Sequence, residues 1–577
     1  MKFYTNILKL TEKKDRITFN ILILLNLVHF VLEFIAIASI PIFATLLIDK
    51  NIIFENIPFL SNFLGSEFIV LKFGIFVSIT FILKNSYLIY LINIQEKFFK
   101  KLKISLSTKM FNFYLNDSYQ NYFETGPHFL SRNVTWEIQA FRGYLFHLSN
   151  LFRELLAFLV VFIIIFLANY KLALGIAFIF SIISFIYSKT LKPSLKKRAQ
   201  ENQSLNQNFS QMVYELFGAI KDIKLLNKEK QTSEKFKDKM KQYENNLFFF
   251  IIIERLPKVF LEITAILFIV ILITLLSLSN ESTPELLAFL SVILISIIRS
   301  IPAFTGINSA LHYMRIFEPS IKLLTSEIYK IENKTKKIDT TENKKIILIN
   351  PNKNQNLIDV NNISFKYANK NKVVIDNASL FVKKGQTVGI VGKTGAGKST
   401  LMQILIGLLK PNSGNVFFED KNISADLKGW QQKISYVSQS IFLFDETLKT
   451  NITFENDTTK INKENLEKAI EIAELKNKIL SLPKGLDENV GTDGIKLSGG
   501  EKQRIALARA IYKNKLIIFL DEFTSALDID TENKIISNIN NSFKDKTLII
   551  IAHRKNIIDK CDVVWELKDG VINKKEQ

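Results

Sequence analysis

The first half of the chain is dominated by long apolar runs, and the second half alternates short apolar stretches with helix-like segments. Six predominantly apolar runs lie at residues 17–48, 68–93, 145–168, 172–187, 247–278 and 284–313. A helix needs about 20 apolar residues to cross a bilayer, so this pattern predicts six transmembrane helices, of which the fourth is the shortest. The first run far exceeds the roughly 7–15 apolar residues of a signal peptide, and we interpret it as an uncleaved span.

Lysine and arginine are concentrated in two of the connections between these runs. One connects the second and third runs, and the other follows the fourth run from residue 189 to 241. The alternate connections, at residues 49–67, 169–171 and 279–283, are short or poor in basic residues. Basic residues mark the cytoplasmic side, so both termini are predicted to face the cytoplasm. The two basic connections exceed the length that a loop needs and carry apolar residues at helical spacing, such as Val213, Leu216, Phe217 and Ile220.

Two further segments divide the chain. The apolar stretch at residues 52–64, between the first two spans, is too short to cross a membrane. It is either an amphipathic helix in the membrane interface or a loop packed on the outer helix ends. The polar stretch within residues 316–357 has too few apolar residues to form a core, so we interpret it as a linker. The predicted domains are therefore an all-α transmembrane domain (1–315), a linker (316–357) and an α/β domain (358–577).

Composition and charge add two constraints. Hydrophobic residues make up 48% of the chain and the net charge is +20. A basic chain can bind nucleic acid, but here the basic residues follow the cytoplasmic flanks of the spans, so we predict no nucleic acid partner. The single cysteine, Cys561, excludes an intrachain disulfide.

A glycine-rich phosphate loop lies between a predicted strand at 387–391 and a predicted helix at 400–409. Backbone N–H groups of such a loop and the positive end of the following helix bind phosphates. Lys398 is predicted to reach the β- and γ-phosphates, and Ser399 to ligate Mg²⁺. The residues assigned to nucleotide binding here are Gly392, Lys393, Thr394, Gly395, Ala396, Gly397, Lys398, Ser399 and Thr400.

About one hundred residues further on stands Leu497-Ser498-Gly499-Gly500-Glu501-Lys502-Gln503-Arg504. With the phosphate loop, this run resembles the nucleotide-binding domain of ATP-binding cassette (ABC) proteins. The resemblance implies an α/β P-loop ATPase that uses ATP and Mg²⁺. It also implies that Ser498 and the amides of Gly499 and Gly500 contact the γ-phosphate of ATP held by a second copy. Because the chain carries one copy of each motif, it is predicted to form a homodimer.

The same resemblance assigns roles to several other residues. After the buried strand 516–520, Asp521 would hold Mg²⁺ through water, and Glu522 would be the general base that polarises the attacking water. Gln439 matches the Q-loop, which contacts Mg²⁺ and transmits the nucleotide state, and His553 matches the switch residue at the γ-phosphate. Asp528 belongs to the D-loop.

The aromatic residue Tyr367 matches the family residue that stacks on adenine. A plainer alternative is that it packs on the sheet as a strand residue, and its spacing to the phosphate loop favours stacking.

Two cytoplasmic segments resemble the parts of ABC exporters that touch the ATPase. The first is Phe123-Glu124-Thr125-Gly126 followed by residues 131–135, and the second lies near 218–230. Pro127 and His128 depart from the usual continuation of the first segment, which puts the helix boundary there in question. The whole chain thus resembles a type IV half-transporter, with the membrane domain fused to the ATPase.

Three basic residues within the spans are candidates for substrate binding. Lys84, Lys258 and Arg299 lie roughly 15–20 residues from the outer span ends, or about 22–30 Å at 1.5 Å per residue. Ionisable groups inside a membrane are functional candidates, and this layer would suit an anionic head group. The alternative is pairing with acidic residues at similar depth, namely Glu33, Glu154 and Glu262. Lys258 has Glu254 and Glu262 four residues away, whereas Lys84 and Arg299 lack such local partners.

Scattered positions, including residues 33–43 and 299–302, resemble ABC-type flippases that move polyprenyl-pyrophosphate-linked oligosaccharides for bacterial protein glycosylation. We therefore predict an ATP-driven flippase of the bacterial inner membrane with this lipid-linked oligosaccharide as substrate. The alternatives are a multidrug or general lipid exporter and, from another class, a non-transporting ABC ATPase or a membrane-tethered regulator. An importer is disfavoured because membrane domain and ATPase share one chain.

Overall fold

A computed structural model describes residues 10–48, 68–168, 170–277, 283–342, 356–367, 372–552 and 554–575. The chain forms two compact units. The first contains Met1–Asp117 and Thr125–Lys337, and the second contains Ser118–Glu124 and Ile338–Gln577. The external segment 52–64 lies outside the described residues, so both interpretations of it stay open.

The first unit is built from long helices, each of which contains one of the predicted spans. They are Lys13–Ile48, Ile69–Asn116, Ile138–Ala168, Tyr170–Gly218, Glu229–Ser277 and Thr283–Glu342. Among the described residues, three stretches are long and apolar enough to cross a membrane: Lys13–Leu47, Ile69–Asn116 and Pro127–Leu167. The 48 residues of Ile69–Asn116 would extend over about 72 Å, more than twice the hydrocarbon thickness. The predicted helical extensions of the spans are therefore present.

Short helices interrupt the two basic connections where the sequence resembles exporter coupling segments. The first contains Tyr119–Thr125, Pro127–Arg132 and a π-helical turn at Asn133–Glu137, and the second contains Ile220–Leu225. Gly126, with φ of 78°, separates the first two helices. Pro127 begins the next one, at a position where its missing N–H costs no hydrogen bond. The unusual Pro127 thus marks a helix start.

The sixth long helix continues to Glu342, through residues that composition assigned to the linker. Its residues Ile321, Leu324 and Ile328 recur at helical spacing and are buried against Leu102 and Met110 of the second long helix. An apolar stripe of this kind stabilises a helix although the other faces are polar. Residues 343–355 of the predicted linker lie outside the described residues.

In its described residues, the second unit contains ten strands and a set of shorter helices. The strands are β1 Ile358–Phe365, β2 Ile375–Val382, β3 Thr387–Val391, β4 Ser413–Phe418, β5 Lys421–Asn422, β6 Ile434–Val437, β7 Ile517–Asp521, β8 Thr547–Ile551, β9 Val563–Lys568 and β10 Val571–Lys575. The α-helices are Lys398–Leu405, Leu427–Gln431, Leu448–Thr453, Lys463–Ile472, Lys476–Ser481, Gly499–Tyr512, Ile529–Ser542 and Lys555–Ile558. Single 3₁₀ turns form at Thr458–Lys460, Gly485–Asp487 and Thr492–Gly494.

These strands form two sheets. A four-stranded antiparallel sheet has the order β2-β1-β4-β5, and a six-stranded sheet has the order β10-β9-β3-β8-β7-β6. In the second sheet, β9, β3, β8, β7 and β6 are parallel, and β10 is antiparallel at the edge. Parallel sheets are covered on both faces, which explains why the central strands β7 and β8 are buried along their whole length.

Strand β7 shows how the sheet separates two cores. Ile517 and Phe519 pack into one cluster, and Ile518 and Leu520 into another. Alternate side chains of a strand point to opposite faces, so a continuous apolar run fills both cores at once. The strand then ends in Asp521, whose position is set by this packing.

Candidate functional site

The strand order brings the predicted ATPase motifs to one edge of the sheet. The phosphate loop follows β3, Ala552 follows β8, Glu522 follows β7, and Gln439 lies just beyond β6. Since β3, β8, β7 and β6 are parallel neighbours, their carboxyl ends meet at the same edge. This edge is where ligands of parallel α/β sheets bind.

The phosphate loop closes tightly over the start of helix Lys398–Leu405. Gly397 precedes this helix with φ of 104°, and a Cβ there would lie 3.0 Å from the carbonyl oxygen of Val374. Lys398 Nζ donates to the carbonyl oxygens of Gly392 and Lys393 at 3.0 Å each. Burial lowers the pKa of Lys398, while the charges of Glu522 and Asp521 raise it. The ammonium is thus held in the loop beside two carboxylates.

Asp521 has the surroundings of a cation ligand. Its side chain is buried, Tyr436 Oη donates to Oδ2 at 3.4 Å, and Ser399 hydrogen-bonds to it. Its Oδ1 is buried and meets no hydrogen-bond partner in the described chain. Magnesium prefers oxygen ligands and takes few from protein when phosphates supply the rest. Ser399 and Asp521 therefore fit the predicted Mg²⁺ site.

The pKa of Asp521 is raised to about 6, first by burial and then by the charge of Glu522. The ordinary value is 3.8, so the native state binds this proton more tightly than the unfolded state does. Stability therefore falls as the pH rises from about 4 to about 6. A shift of about two units corresponds to roughly 3 kcal/mol of lost stability above pH 6.

We expect Asp521→Asn to raise the apparent Tm of the protein without Mg²⁺ and nucleotide at pH 7.5, because it removes this buried charge. The gain should shrink as the pH falls from 6 to 4. Thermal unfolding of both proteins across this range checks the prediction, and a gain that grows on acidification would contradict it.

Asp528 provides a matched control for this prediction. It is exposed, and its pKa is lowered by hydrogen bonds from Thr531, whose N–H lies 2.9 Å from Asp528 Oδ2. In the structure the side chain therefore caps helix Ile529–Ser542. Because the folded protein favours the charged form of Asp528, Asp528→Asn should lower the apparent Tm at pH 7.5. This change is opposite in sign to the one expected for Asp521→Asn.

Glu522 and Gln439 are brought together although 83 residues separate them. Gln439 Nε2 donates to Glu522 Oε2 at 2.8 Å. Glu522 has φ of 48°, the left-handed region that is unfavourable for a residue with a Cβ. Strained backbones of this kind cluster at functional sites. The geometry fits the role predicted for Glu522 and places the Q-loop residue in contact with it.

Tyr367 has aromatic and polar neighbours, one of which, Thr400, lies just after the phosphate loop. Its ring stands 5.0 Å from Phe365 and 6.0 Å from Phe123, and its hydroxyl lies 3.2 Å from Thr400 Oγ1. Phe123 belongs to helix Tyr119–Thr125, whose residues 119–124 are part of the second unit. Stacking on adenine stays a prediction, because Tyr367 also packs against the sheet residue Phe365.

The signature run begins helix Gly499–Tyr512 with a capping box. Ser498 Oγ accepts from the N–H of Glu501 at 3.3 Å, and Glu501 Oε2 accepts from the N–H of Ser498 at 2.8 Å. Ser498 and Gly499 are exposed, and Gly500 packs closely on the carbonyl oxygen of Ala526. A helix start with free N–H groups is suited to bind an anion.

Gln503 of the signature run connects two segments of the site, a role that its motif alone did not indicate. Its Nε2 donates to Ser525 Oγ at 2.7 Å, and its Oε1 accepts from the N–H of Ala526 at 2.9 Å. The side chain thus ties the signature helix to the D-loop. The signal in the sequence is a polar residue on the otherwise apolar face of this helix.

The switch residue His553 lies outside the described residues. Its neighbour Arg554 forms an ion pair with the buried Glu532 and donates to the carbonyl oxygen of Leu527 at 3.3 Å. These contacts connect the end of β8 with the helix that Asp528 caps. The position of His553 at the γ-phosphate stays a prediction.

The charges inside the spans include ion pairs of the kind considered as the alternative to substrate binding. Arg299 forms an ion pair with the fully buried Glu33, which is the alternative that their similar depth had left open. Sequence spacing could not find this pair because the two residues lie on different helices. His29 Nδ1 lies 3.6 Å from Glu33 Oε2, and His29 is within electrostatic reach of Lys84, Arg153 and Arg299.

Lys84 and Lys258 have opposite environments. Lys84 is buried, lies 5.4 Å from the Phe81 ring centroid, and forms no ion pair within the described chain. Lys258 is 61% exposed and lies 3.8 Å from Glu262, as local spacing suggested. Arg153 and Glu154 are 3.5 Å apart. The structure thus brings Lys84 and Arg299 to one cluster around His29, and pairs Lys258 with Glu262 on its own helix.

The fold and the site define a P-loop ATPase whose chain also forms a bundle of membrane-length helices. The sequence matches the family model "ABC transporter transmembrane region" over residues 22–301 and the family model "ABC transporter" over residues 375–525. The chain therefore belongs to the ABC transporters, with an exporter-type transmembrane domain and an ABC ATPase in one polypeptide.

Related proteins agree with this assignment. The chain is 35% identical over 212 residues to an ATP-dependent lipid A-core flippase of Ralstonia nicotianae, covering 36% of each protein. It is 37% identical over 216 residues to a protein of the same name from Pseudomonas fluorescens, covering 37% of this chain and 36% of that one. The structure of a bacterial Atm1-family ABC exporter with ATP bound has the same fold, with a TM-score of 0.71, 20% identity, and coverage of 97% and 94%. The sequence alignments with the two flippases thus span little more than a third of those proteins.

Proposed function

We propose that the protein is an ATP-driven flippase that moves a lipid with an anionic head group outward across the bacterial inner membrane, with both termini in the cytoplasm. The observation that carries the proposal is the cluster of Lys84, Arg153 and Arg299 around His29, within spans that share a chain with an ABC ATPase. Arg153 and Arg299 are paired with Glu154 and Glu33, whereas Lys84 forms no ion pair among the described residues, and an unpaired charge inside a membrane is a functional candidate.

The residues of the ATP site divide the chemistry among them. Lys398 and the loop amides bind the β- and γ-phosphates, and Tyr367 stacks on adenine. Mg²⁺, held by Ser399 and Asp521, would neutralise charge that develops on the phosphates. Glu522 orients and deprotonates the attacking water, and its hydrogen bond to Gln439 links the reacting centre to the Q-loop.

A second copy of the chain completes each ATP site in this proposal. Ser498 and Gly499 are exposed at the start of a 14-residue helix and are joined to no nucleotide-binding group of their own chain by a hydrogen bond in the described residues. One copy of each motif in the chain then requires a homodimer, in which the signature of one copy binds the γ-phosphate held by the other.

The charge balance supports an anionic lipid over a cationic one. Three cations reach His29, and the acids paired with them are Glu33 and Glu154. Relatives named as lipid flippases support a lipid substrate in general. The more specific substrate, a polyprenyl-pyrophosphate-linked oligosaccharide, rests on the diffuse resemblance alone. The general lipid exporter is the better supported of the two.

The test is ATPase stimulation of the purified protein in phosphatidylcholine liposomes. We expect stimulation by phosphorylated lipids, including a polyprenyl-pyrophosphate glycolipid, and none by a cationic amphiphile of matched chain length, because the cluster attracts anions. Stimulation by the cationic amphiphile alone would contradict the proposal and favour a multidrug exporter. Stimulation by all phosphorylated lipids equally would remove only the oligosaccharide specificity.

A further inference from the structure

A cavity of about 290 Å³ lies in the first unit, at the cytoplasmic ends of the predicted fifth and sixth spans. Its walls are mostly apolar and aromatic, and they come from the third to sixth long helices and the π-helical turn before them. The residues that carry the argument are Trp136, Phe250, Glu254, His312, Tyr313 and Phe317. None of them belongs to the ATP site or to the cluster around His29.

Glu254 is the one acidic residue of the lining, and its partners are neutral. Ser309 Oγ donates to Oε1 at 2.8 Å, and Tyr313 Oη donates to Oε2 at 3.0 Å. Glu254 forms no ion pair in the described part of the chain, since Lys258 pairs with Glu262 instead. A carboxylate accepts about four hydrogen bonds, so acceptor positions remain on both oxygens.

Two further features indicate that a ligand belongs here. His312 lines the cavity, is 1% exposed, and its Nδ1 meets no hydrogen-bond partner among the described residues. Tyr313 is fixed by stacking on His147 with ring centroids 4.6 Å apart. Among the described residues that line the cavity, the only charged group is therefore a carboxylate on an aromatic wall, beside a buried polar atom without a partner.

We propose that this cavity binds a small organic cation, an amine or quaternary ammonium that carries an apolar ring. The cationic group would lie against Glu254 and the faces of the aromatic rings, because aromatic faces attract cations. The ring would fill the space between Phe250, Phe317 and Trp136. No lysine or arginine is among the lining residues that the structure describes, so none of these would attract an anion. The site is independent of the anionic lipid proposed above.

The test uses full-length protein in phosphatidylcholine nanodiscs and two probes of similar size, benzyltrimethylammonium and the neutral benzyl alcohol. Trp136 reports binding, because it lines the cavity and is 57% exposed, while Trp430 and Trp565 are buried in the ATPase. We expect saturable quenching by the cation and at least tenfold weaker binding of the alcohol. Trp136→Phe should remove the signal.

Glu254→Gln should weaken binding of the cation at least tenfold, because it removes the charge and keeps the shape. Glu262→Gln, on the same helix and half exposed beside Lys258, is the matched control and should bind as the wild type does. Tyr313→Phe keeps the ring and frees one Glu254 oxygen, so it should bind the cation equally or more tightly. Equal affinity for both probes, or unchanged affinity in Glu254→Gln, would overturn the proposal, as would loss of binding in Tyr313→Phe.

Discussion

Glu522→Gln is expected to lower the ATPase rate by about 10²–10⁴-fold, the usual range for loss of a general base. Glutamine keeps the length of the side chain and can still accept from Gln439 Nε2, so the site should retain its shape and bind ATP. ATP-dependent outward movement of a labelled phosphorylated lipid in liposomes should stop with hydrolysis. The measurement is steady-state ATPase activity together with translocation by the same preparation.

The control is Glu464→Gln, an exposed residue in the first turn of helix Lys463–Ile472, which should behave as the wild type does. Equal translocation by wild type and Glu522→Gln would contradict an ATP-driven flippase. The same samples test the homodimer, because the protein with bound ATP should have twice the mass of one 66.4 kDa chain. Full ATPase activity in a single chain would contradict the shared site.

Lys84→Ala combined with Arg299→Ala should raise the lipid concentration that half-stimulates ATPase activity at least about tenfold, while basal ATPase activity persists. Hydrogen bonds to charged groups contribute about 1.5–3 kcal/mol each, so the loss of two should be measurable as a higher half-stimulating lipid concentration. The measurement is ATPase activity against the concentration of the phosphorylated lipid. Unchanged stimulation would show that these residues do not contact the substrate.

The ion pair between Arg299 and Glu33 requires a second variant. Removing Arg299 leaves Glu33 buried without its partner, which can destabilise the membrane domain by itself. Adding Glu33→Gln removes that charge, and the triple variant should keep the loss of stimulation while recovering apparent Tm. Lys258→Ala is the matched control, because Lys258 is exposed and paired with Glu262, and it should retain stimulation.

The ATP site was predictable because its residues lie within short continuous motifs. In the structure, as predicted, the phosphate loop follows a strand, Asp521 and Glu522 lie at the end of a strand, and the signature run begins a helix. The strand order then explains why they meet, since β3, β8, β7 and β6 are parallel neighbours. The contact between Gln439 and Glu522 could not be predicted, because no local pattern relates two residues 83 positions apart.

The ion pairs inside the spans and the end of the sixth long helix were harder to predict, because they depend on residues that are distant in the sequence. Spacing of four found the partner of Lys258, because both residues lie on one helix face. The same spacing rule could not relate Arg299 to Glu33, which their similar depth suggested only as an alternative, because the helices that carry them come together only in the folded unit. Composition also placed the linker over the end of the sixth helix, where burial of Ile321, Leu324 and Ile328 favours the helix despite polar neighbours.

The sequence by itself determined that this is a membrane ABC protein with its ATPase fused behind the spans. Apolar run length predicts the spans, glycines beside Lys398 and Ser399 predict a phosphate site, and the resemblance of the run at residues 497–504 indicates the ABC family. Only the tertiary structure decided which charges remain for a ligand. Lys84 is buried without an ion pair in the described chain, Arg299 is held by Glu33, and Glu254 faces an aromatic cavity with neutral partners. The reason is that charge compensation in a low-dielectric interior depends on distances between helices, which a linear pattern does not contain.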